Sequence, residues 1–144
     1  MVTYSIGEVA QRLGVSVNTL RYYDQQGLMP DIKRSTGGKR LFEEDDLHYL
    51  YVVLCLKRTG MTISQIQEYV ALTRGGDATL AKRLTIFKDQ MAAVDKEILK
   101  LQTYRDCLNY KAAYYQRAVA AGTESVNAND ESLPFPKIMN MEDD

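Results

Sequence analysis

An apolar repeat of seven residues is the feature that most constrains how this chain folds. Its members are Leu80, Phe87, Val94, Leu101 and Leu108, with Leu84, Met91 and Ile98 four positions after the first three of them. Neither Pro nor Gly occurs between Asp77 and Ala121. This alternating spacing of four and three is typical of a coiled-coil seam. The repeat predicts a helix from about residue 78 to 120, within a dimerisation segment 76–121.

The length of this predicted helix indicates that it needs a partner. At about 1.5 Å per residue it extends for roughly 60 Å, which is too long to bury its stripe on a head of this size. A second copy of the chain is the simplest partner, so the eight repeat residues form the predicted dimer interface. A helix that folds back on its own head is the alternative.

Helix-start and helix-stop signals are clear near the N-terminus. Ser5 and Glu8 form a capping box, and Gly14 ends the first short helix. Ser16 caps a second helix that stops at Gly27. Two short helices joined by a tight Gly-containing turn predict a helix-turn-helix.

The second helix has an inward apolar face and an outward polar face. Leu20 and Tyr23 turn inward, whereas the outward residues are Asn18, Arg21, Tyr22 and Gln25. Guanidinium, amide and phenol groups are the types that contact bases and phosphates. The pattern favours DNA binding over an ordinary polar face.

The segment after these helices predicts a wing and two further helices. Residues 32–42 form a basic run around Gly37-Gly38, which is typical of a hairpin turn. Four acids at 43–46 open a third helix, where the helix dipole favours negative charge. Thr62 and Gln65 form a second capping box that opens a fourth helix. Residues 1–75 are therefore the predicted head.

Charge is distributed unevenly along the chain. Residues 1–42 hold six basic and three acidic side chains, whereas residues 122–144 hold one basic and six acidic ones. The net charge of −1 hides this basic head, which suits a polyanionic partner. Residues 122–144 are predicted to be a flexible acidic tail in which Leu133–Pro136 is a docking segment.

Composition argues against several classes of protein. There is one His, His48, and there is no phosphate-binding loop, HExxH or CxxC motif, so we expect no enzyme. Cys55 and Cys107 are too few for a disulfide scaffold, and as isolated residues they make a poor metal site, so we expect neither metal nor cofactor. No cationic region followed by an apolar run opens the chain, and no apolar run approaches a membrane span. We therefore expect a cytoplasmic protein.

Together these motifs closely resemble the MerR family of bacterial transcription regulators. The matching stretches are Ser5–Ala10, Gly14–Asp24, Gly27–Pro30, Arg40–Phe42 and Gly60–Ile66. The resemblance spans about residues 2–72 almost without gaps, and the long helix that follows also fits. Lys39 departs from the family pattern, which often has Tyr at this position.

The resemblance implies a mainly α fold, with a winged helix-turn-helix followed by a long helix that pairs in an antiparallel coiled coil. It implies a homodimer whose two heads occupy successive major grooves of promoter DNA, between the elements that RNA polymerase reads. An effector then changes the dimer so that the DNA is bent and untwisted.

The resemblance also implies which residues contact DNA. It assigns Ser16, Asn18, Thr19, Arg21 and Tyr22 to the recognition helix, Lys39, Arg40 and Phe42 to the wing, and Lys57 and Thr62 to a second wing.

The sequence leaves the effector open. Cys55 occupies the place of a lone Cys in the subgroup that responds to aldehydes and thiol stress, and its neighbours Lys57 and Arg58 favour a thiolate. Pairing of Cys55 with Cys107 of a second copy is a further option. A small apolar ligand is another, near Tyr104, Tyr110, Tyr114 and Tyr115. A rival of a different class is an architectural, excisionase-like DNA-binding protein without an effector.

Overall fold

The structure, a computed structural model, describes residues 2–129 and is mainly helical in that part. The elements are α1 (Ile6–Leu13), α2 (Val17–Gln25), β1 (Lys33–Arg34), β2 (Arg40–Leu41), α3 (Glu44–Arg58), α4 (Ile63–Arg74) and α5 (Leu80–Ala121). Short 3-10 turns cover Gly76–Thr79 and Glu124–Asn127. The chain forms two compact units that divide after Gln90.

The predicted capping boxes are present. The Ser5 hydroxyl accepts a hydrogen bond from the Glu8 amide, and the Glu8 carboxylate accepts one from the Ser5 amide. Thr62 and Gln65 exchange the same pair of bonds at the start of α4. Gly14 ends α1 with φ of 68°, a left-handed conformation that glycine adopts without steric cost. The helix boundaries are thus determined by local side-chain chemistry.

Two clusters of buried side chains form the core of the first unit. One comprises Tyr23, Leu28, Val53, Leu54, Leu56, Met61, Ile66 and Val70. The other comprises Val9, Ala10, Leu20, Met29, Phe42, Leu47 and Leu50. Leu13 and Val15, in and after α1, pack against both clusters. The two clusters therefore position α2 with its outward face toward solvent.

The first turns of α5 belong to this unit. Ile86 and Phe87 pack against the first cluster, and the Phe87 ring meets Tyr69 edge to face at 5.3 Å. The Gln90 amide donates to both the carbonyl and the hydroxyl of Thr59, at 2.8 Å each. In the single chain the Phe87 ring therefore packs against the core of its own head, and its place in the dimer seam stays a prediction.

The second unit, described over residues 91–129, has little buried apolar surface. Met91, Ile98, Leu101 and Leu108 are all more than half exposed, and Leu108 reaches 71%. Val94 is half-buried, and Ala118 is the α5 residue that is fully buried. The stripe that the repeat predicted is thus present on α5 and open to solvent in the single chain.

The chain turns back at the end of α5. Gly122 adopts φ of 75°, and the Thr123 amide donates to the Ala118 carbonyl. The Asn127 side-chain amide donates to the Tyr114 carbonyl at 2.9 Å. Residues 122–129 therefore form a turn that is hydrogen-bonded to the end of α5, and the flexibility of the acidic tail stays a prediction. The segment Leu133–Pro136 lies outside the described residues.

Candidate nucleic-acid interface

The outward face of α2 carries the predicted DNA-contacting side chains. Asn18, Arg21 and Gln25 are exposed, and Tyr22 is 45% exposed. Leu20 and Tyr23 are buried, as the helical periodicity predicted. Burial also raises the pKa of the Tyr23 phenol.

Two of the predicted contacts, Ser16 and Thr19, are engaged at the start of α2. The Ser16 hydroxyl caps the helix by accepting from the Thr19 amide at 3.0 Å. The two hydroxyls are also hydrogen-bonded to each other at 2.9 Å. Ser16 and Thr19 therefore determine where α2 begins. The start of the helix in turn determines that Asn18 and Arg21 lie on its outward face.

The basic run forms the predicted hairpin. Lys33 pairs with Leu41 and Arg34 with Arg40 in an antiparallel register. Gly38, in the turn, has φ of 82°, and its carbonyl accepts from the Arg34 guanidinium at 2.9 Å. The hairpin places the exposed cations of Lys33, Arg34 and Lys39 on one small projection.

Arg40 makes an ion pair that no sequence pattern predicts. Its Nη2 donates to Oδ2 of Asp24, on the last turn of α2. The Arg40 side chain is 23% exposed and that of Asp24 is 37% exposed. The predicted wing cation is therefore held by a carboxylate from the recognition helix. Sixteen positions separate the two residues, and no local periodicity connects them.

Phe42 is not a surface residue. Its side chain is 0% exposed and packs in the second core cluster, while its backbone pairs with that of Tyr4. A fully buried ring does not reach DNA, so the prediction of a side-chain contact is wrong. Phe42 instead anchors the base of the hairpin to the core.

The predicted second wing lies between α3 and α4. Lys57 and Thr62 are both exposed, and Gly60 between them has φ of 103°. The Thr62 hydroxyl accepts from the Gln65 amide, so it is engaged as a helix cap. Lys57, one residue before the end of α3, and its neighbour Arg58 are both exposed. This connection therefore presents two cations beside a capped helix start.

Ion pairs brace the elements behind this surface. Arg12 of α1 makes a two-fold hydrogen bond with Glu44 at the start of α3, at 2.8 and 2.9 Å. The bond from Arg12 lowers the pKa of the Glu44 carboxyl from 4.5 to about 2. Lys33 of the hairpin pairs with Glu43 at 3.0 Å. Among the predicted DNA-contacting cations, Arg21, Lys39 and Lys57 make no ion pair in the described contacts.

The two cysteines lie in different units. Cys55 is exposed on α3, and Cys107 is half-buried on α5. The Cys55 carbonyl accepts from both the amide and the hydroxyl of Thr59. Thr59 in turn accepts from Gln90. A chain of hydrogen bonds therefore connects the turn that carries Cys55 to α5.

The tyrosines of α5 contact their own neighbours. The rings of Tyr114 and Tyr115 meet edge to face at 5.1 Å, and the Lys111 ammonium lies 4.2 Å from the centre of the Tyr114 ring. Such contacts are typical of packing at a helix surface. Tyr104 and Tyr110 are half-buried.

Over residues 2–129, no group of three or more His, Cys, Asp or Glu side chains is arranged to hold a metal ion. No helix there is both long enough and apolar enough to cross a membrane.

Comparisons with known proteins agree with the geometry of the head. The family model described as MerR HTH family regulatory protein matches residues 4–73, and the one described as MerR, DNA binding matches residues 47–110. An uncharacterized HTH-type transcriptional regulator of Haemophilus influenzae is 40% identical over 122 residues, which are 85% of this chain and 90% of that protein. The regulator AdhR of Bacillus subtilis is 35% identical over 60% of this chain and 61% of its own length.

The chain is also similar to a solved structure of a MerR family regulator. A crystal structure of HiNmlR, described as a MerR family regulator lacking the sensor domain, bound to promoter DNA, matches with a TM-score of 0.77. It is 39% identical, and the match covers 87% of this chain and 99% of that one. The match with the family model through residue 110 includes much of α5, which an excisionase-like module usually lacks.

Proposed function

Because this chain belongs to the MerR family of DNA-binding transcriptional regulators, we propose that it acts as a homodimer on one promoter. The exposed face of α2 enters the major groove and the hairpin follows the phosphate backbone. The apolar stripe of α5 joins two chains in an antiparallel coiled coil. RNA polymerase is the partner that reads the DNA once the dimer has changed its shape.

The observation that carries this proposal is the arrangement of cations and amides on the head. Arg21 and Asn18 project from α2, Lys39 from the hairpin and Lys57 from the end of α3, all exposed. A backbone contact on each side of a groove-reading helix fixes the orientation of that helix on the duplex. A dimer carries these side chains twice, once on each head. The additional phosphate contacts of the second head offset the free energy needed to bend the DNA.

An Arg21→Ala variant tests the DNA-binding part. We expect its affinity to fall by about 5- to 150-fold on the duplex that the wild-type chain enriches from a randomised library, because a guanidinium contact to a base is worth about 1–3 kcal/mol. Arg74→Ala is the matched control, since it removes the same charge from the exposed end of α4. Fluorescence anisotropy at fixed salt measures both. An unchanged affinity for Arg21→Ala would contradict the assignment of α2 as the reading helix.

We further propose that Cys55 is the sensor, and that its trigger is an electrophile such as an aldehyde. The thiolate sulfur adds to the carbonyl carbon, the carbonyl electron pair moves to oxygen, and this oxygen takes a proton from water. The product is a hemithioacetal. Exposure of Cys55 supports this proposal because an electrophile can approach its sulfur from solvent.

A route from this site to the dimerisation helix supports the same proposal. The Thr59 hydroxyl donates to the Cys55 carbonyl at 2.9 Å and accepts from the Gln90 amide at 2.8 Å. An adduct that disturbs the last turn of α3 would therefore act on Gln90 of α5 through a single residue.

Two thiol variants test the sensor. Formaldehyde is added before iodoacetamide, and mass spectrometry measures the labelling of Cys55 and Cys107 separately. We expect formaldehyde to protect Cys55, and Cys55→Ser to lose the transcriptional response to aldehyde while Cys107→Ser keeps it. A response that persists in Cys55→Ser would overturn the proposal and would favour a noncovalent ligand near the tyrosines of α5.

A further inference from the structure

Asp24 places a negative charge on the surface that faces a polyanion. It lies on α2 two residues after Tyr22, and its side chain is 37% exposed. Repulsion between a carboxylate and phosphates weakens binding, so by charge alone this position is better occupied by a neutral residue. We therefore expect the Asp24 carboxylate to make a favourable contribution to DNA binding that is larger than its repulsion from the phosphates.

The partner of Asp24 indicates what this role is. Its Oδ2 accepts from Nη2 of Arg40, on strand β2 of the hairpin. This bond joins the recognition helix directly to the hairpin. Each hairpin strand has only two residues, and the base of the hairpin is held by the Tyr4–Phe42 bridge and the Lys33–Glu43 pair. Those two contacts attach the hairpin to the residues just before α1 and α3. The Phe42 ring packs in the same cluster as Leu20 of α2, and the Asp24–Arg40 bond is the polar contact between α2 and the hairpin among the described residues.

Arg40 can serve Asp24 and DNA together. A guanidinium has five N–H donors in a rigid plane, and Asp24 accepts from Nη2. The Nε and Nη1 donors remain for a phosphate oxygen. A carboxylate that fixes one edge of the guanidinium reduces the conformational entropy that Arg40 loses on binding DNA.

We propose that Asp24 is a positioning residue for DNA binding: it holds the Arg40 guanidinium, and with it the hairpin, in the orientation in which both α2 and the hairpin reach one duplex. The inference rests on the proposed DNA interface and adds to it a residue that touches no DNA. It also predicts an effect whose sign is opposite to the one expected from charge alone.

The test compares two substitutions that remove the same charge. Asp24→Asn is expected to weaken affinity for the selected duplex by about tenfold, because the loss of orientation outweighs the relief of repulsion. Asp31→Asn is the matched control: Asp31 is an exposed acid that lies two residues before the hairpin and makes no ion pair among the described contacts. It is expected to bind equally well or slightly more tightly.

A double-mutant cycle tests whether Asp24 acts through Arg40. In an Arg40→Gln background, Asp24→Asn is expected to cause no further loss of affinity. Asp24→Glu, which keeps the charge, is expected to recover part of the wild-type affinity. Thermal melting of each variant accompanies the binding data, and we expect midpoints close to that of Asp31→Asn because both side chains of the pair are partly exposed.

Two results would overturn the proposal. One is an Asp24→Asn variant that binds as tightly as wild type or more tightly; the other is a loss that persists undiminished in the Arg40→Gln background. Arg21→Ala, measured in the same series, separates failure of the Asp24 proposal from failure of the proposed DNA interface. If the interface itself is wrong, Arg21→Ala binds DNA as tightly as wild type; if only the role of Asp24 is wrong, Arg21→Ala still loses affinity.

Discussion

In the first compact unit most large apolar side chains lie in or against two buried clusters, whereas beyond Gln90 most of those described lie at the surface. Leu20, Leu28 and Leu50 are 0% exposed, while Leu101 and Leu108 are 63% and 71% exposed. Leucine is therefore a buried core residue in the first unit and an exposed surface residue on α5 beyond Gln90. Short helices joined by turns can enclose their own apolar faces, but one long helix cannot enclose its own stripe.

The difference in burial indicates which contacts stabilise each region. The head is stabilised by contacts within one chain, so its fold does not require association. The exposed stripe of α5 contributes only when a partner covers it, at about 25 cal/mol per Å² of apolar surface removed from water. The stability of the whole protein should accordingly depend on concentration, whereas that of the head should not.

The largest contrast is expected from one substitution made in both regions. Leu50→Ala leaves a cavity in the second core cluster and should reduce the free energy of unfolding of the head by about 2–5 kcal/mol. Leu108→Ala should leave the head unchanged and reduce the affinity between chains. Denaturant unfolding at two protein concentrations separates the two effects. If Leu50→Ala and Leu108→Ala reduced the free energy of unfolding equally, and with the same dependence on protein concentration, the two regions would not differ in how they are stabilised.

The hydrogen bond from Gln90 is the next largest test, because it joins the start of α5 to the head. Gln90→Leu keeps a similar volume but removes the donor to both oxygens of Thr59, which should cost about 1.5 kcal/mol of stability. Gln102→Leu, on the exposed surface of α5, is the control. We also expect Gln90→Leu to reduce the response to aldehyde while Cys55 still reacts. A full response would exclude Gln90 from the route.

A cap substitution should have a smaller effect that is confined to the head. Thr62→Ala removes the acceptor for the Gln65 amide at the start of α4 and should cost about 1 kcal/mol. Ser64→Ala changes an exposed hydroxyl within the first turn and should cost less. Hydrogen exchange of the α4 amides measures the loss locally. Equal protection in the two variants would argue against a capping role for Thr62.

The smallest effect concerns acid stability. The pKa of the Glu44 carboxyl is lowered in the folded chain from 4.5 to about 2 by the hydrogen bond from Arg12. A lowered folded pKa stabilises the head above about pH 4.5, and this contribution is lost as the pH falls toward 2. Glu44→Gln should therefore flatten the dependence of unfolding free energy on pH in that window. Glu68→Gln, at an exposed carboxylate that makes no ion pair among the described contacts, is the matched control in the same denaturant titrations.

Local chemistry explains which parts of the fold the sequence predicts. Capping by Ser5, Ser16 and Thr62 involves residues only three positions apart, so the helix starts could be identified from the chain itself. The outward face of α2 follows from helical periodicity in the same way. These features need no knowledge of tertiary packing.

What the sequence does not predict comes from packing between distant segments. The motif assigns Phe42 to a DNA contact, but its ring is buried in the core of the head. The Phe87 ring, a member of the repeat, packs against that core in the single chain. The Asp24–Arg40 pair depends on how the hairpin sits beside α2. Neither pattern nor propensity contains this information, because it arises only when the elements are assembled.

The number of chains on one duplex tests the central claim most directly. Sedimentation equilibrium with a labelled copy of the selected duplex compares the wild type with a Leu101→Asp/Leu108→Asp variant, whose head is unaltered. The account predicts two wild-type chains per duplex, and a variant that is monomeric and binds at least a hundredfold more weakly because its heads are no longer linked. One wild-type chain per duplex, or a variant that binds with undiminished affinity, would contradict it.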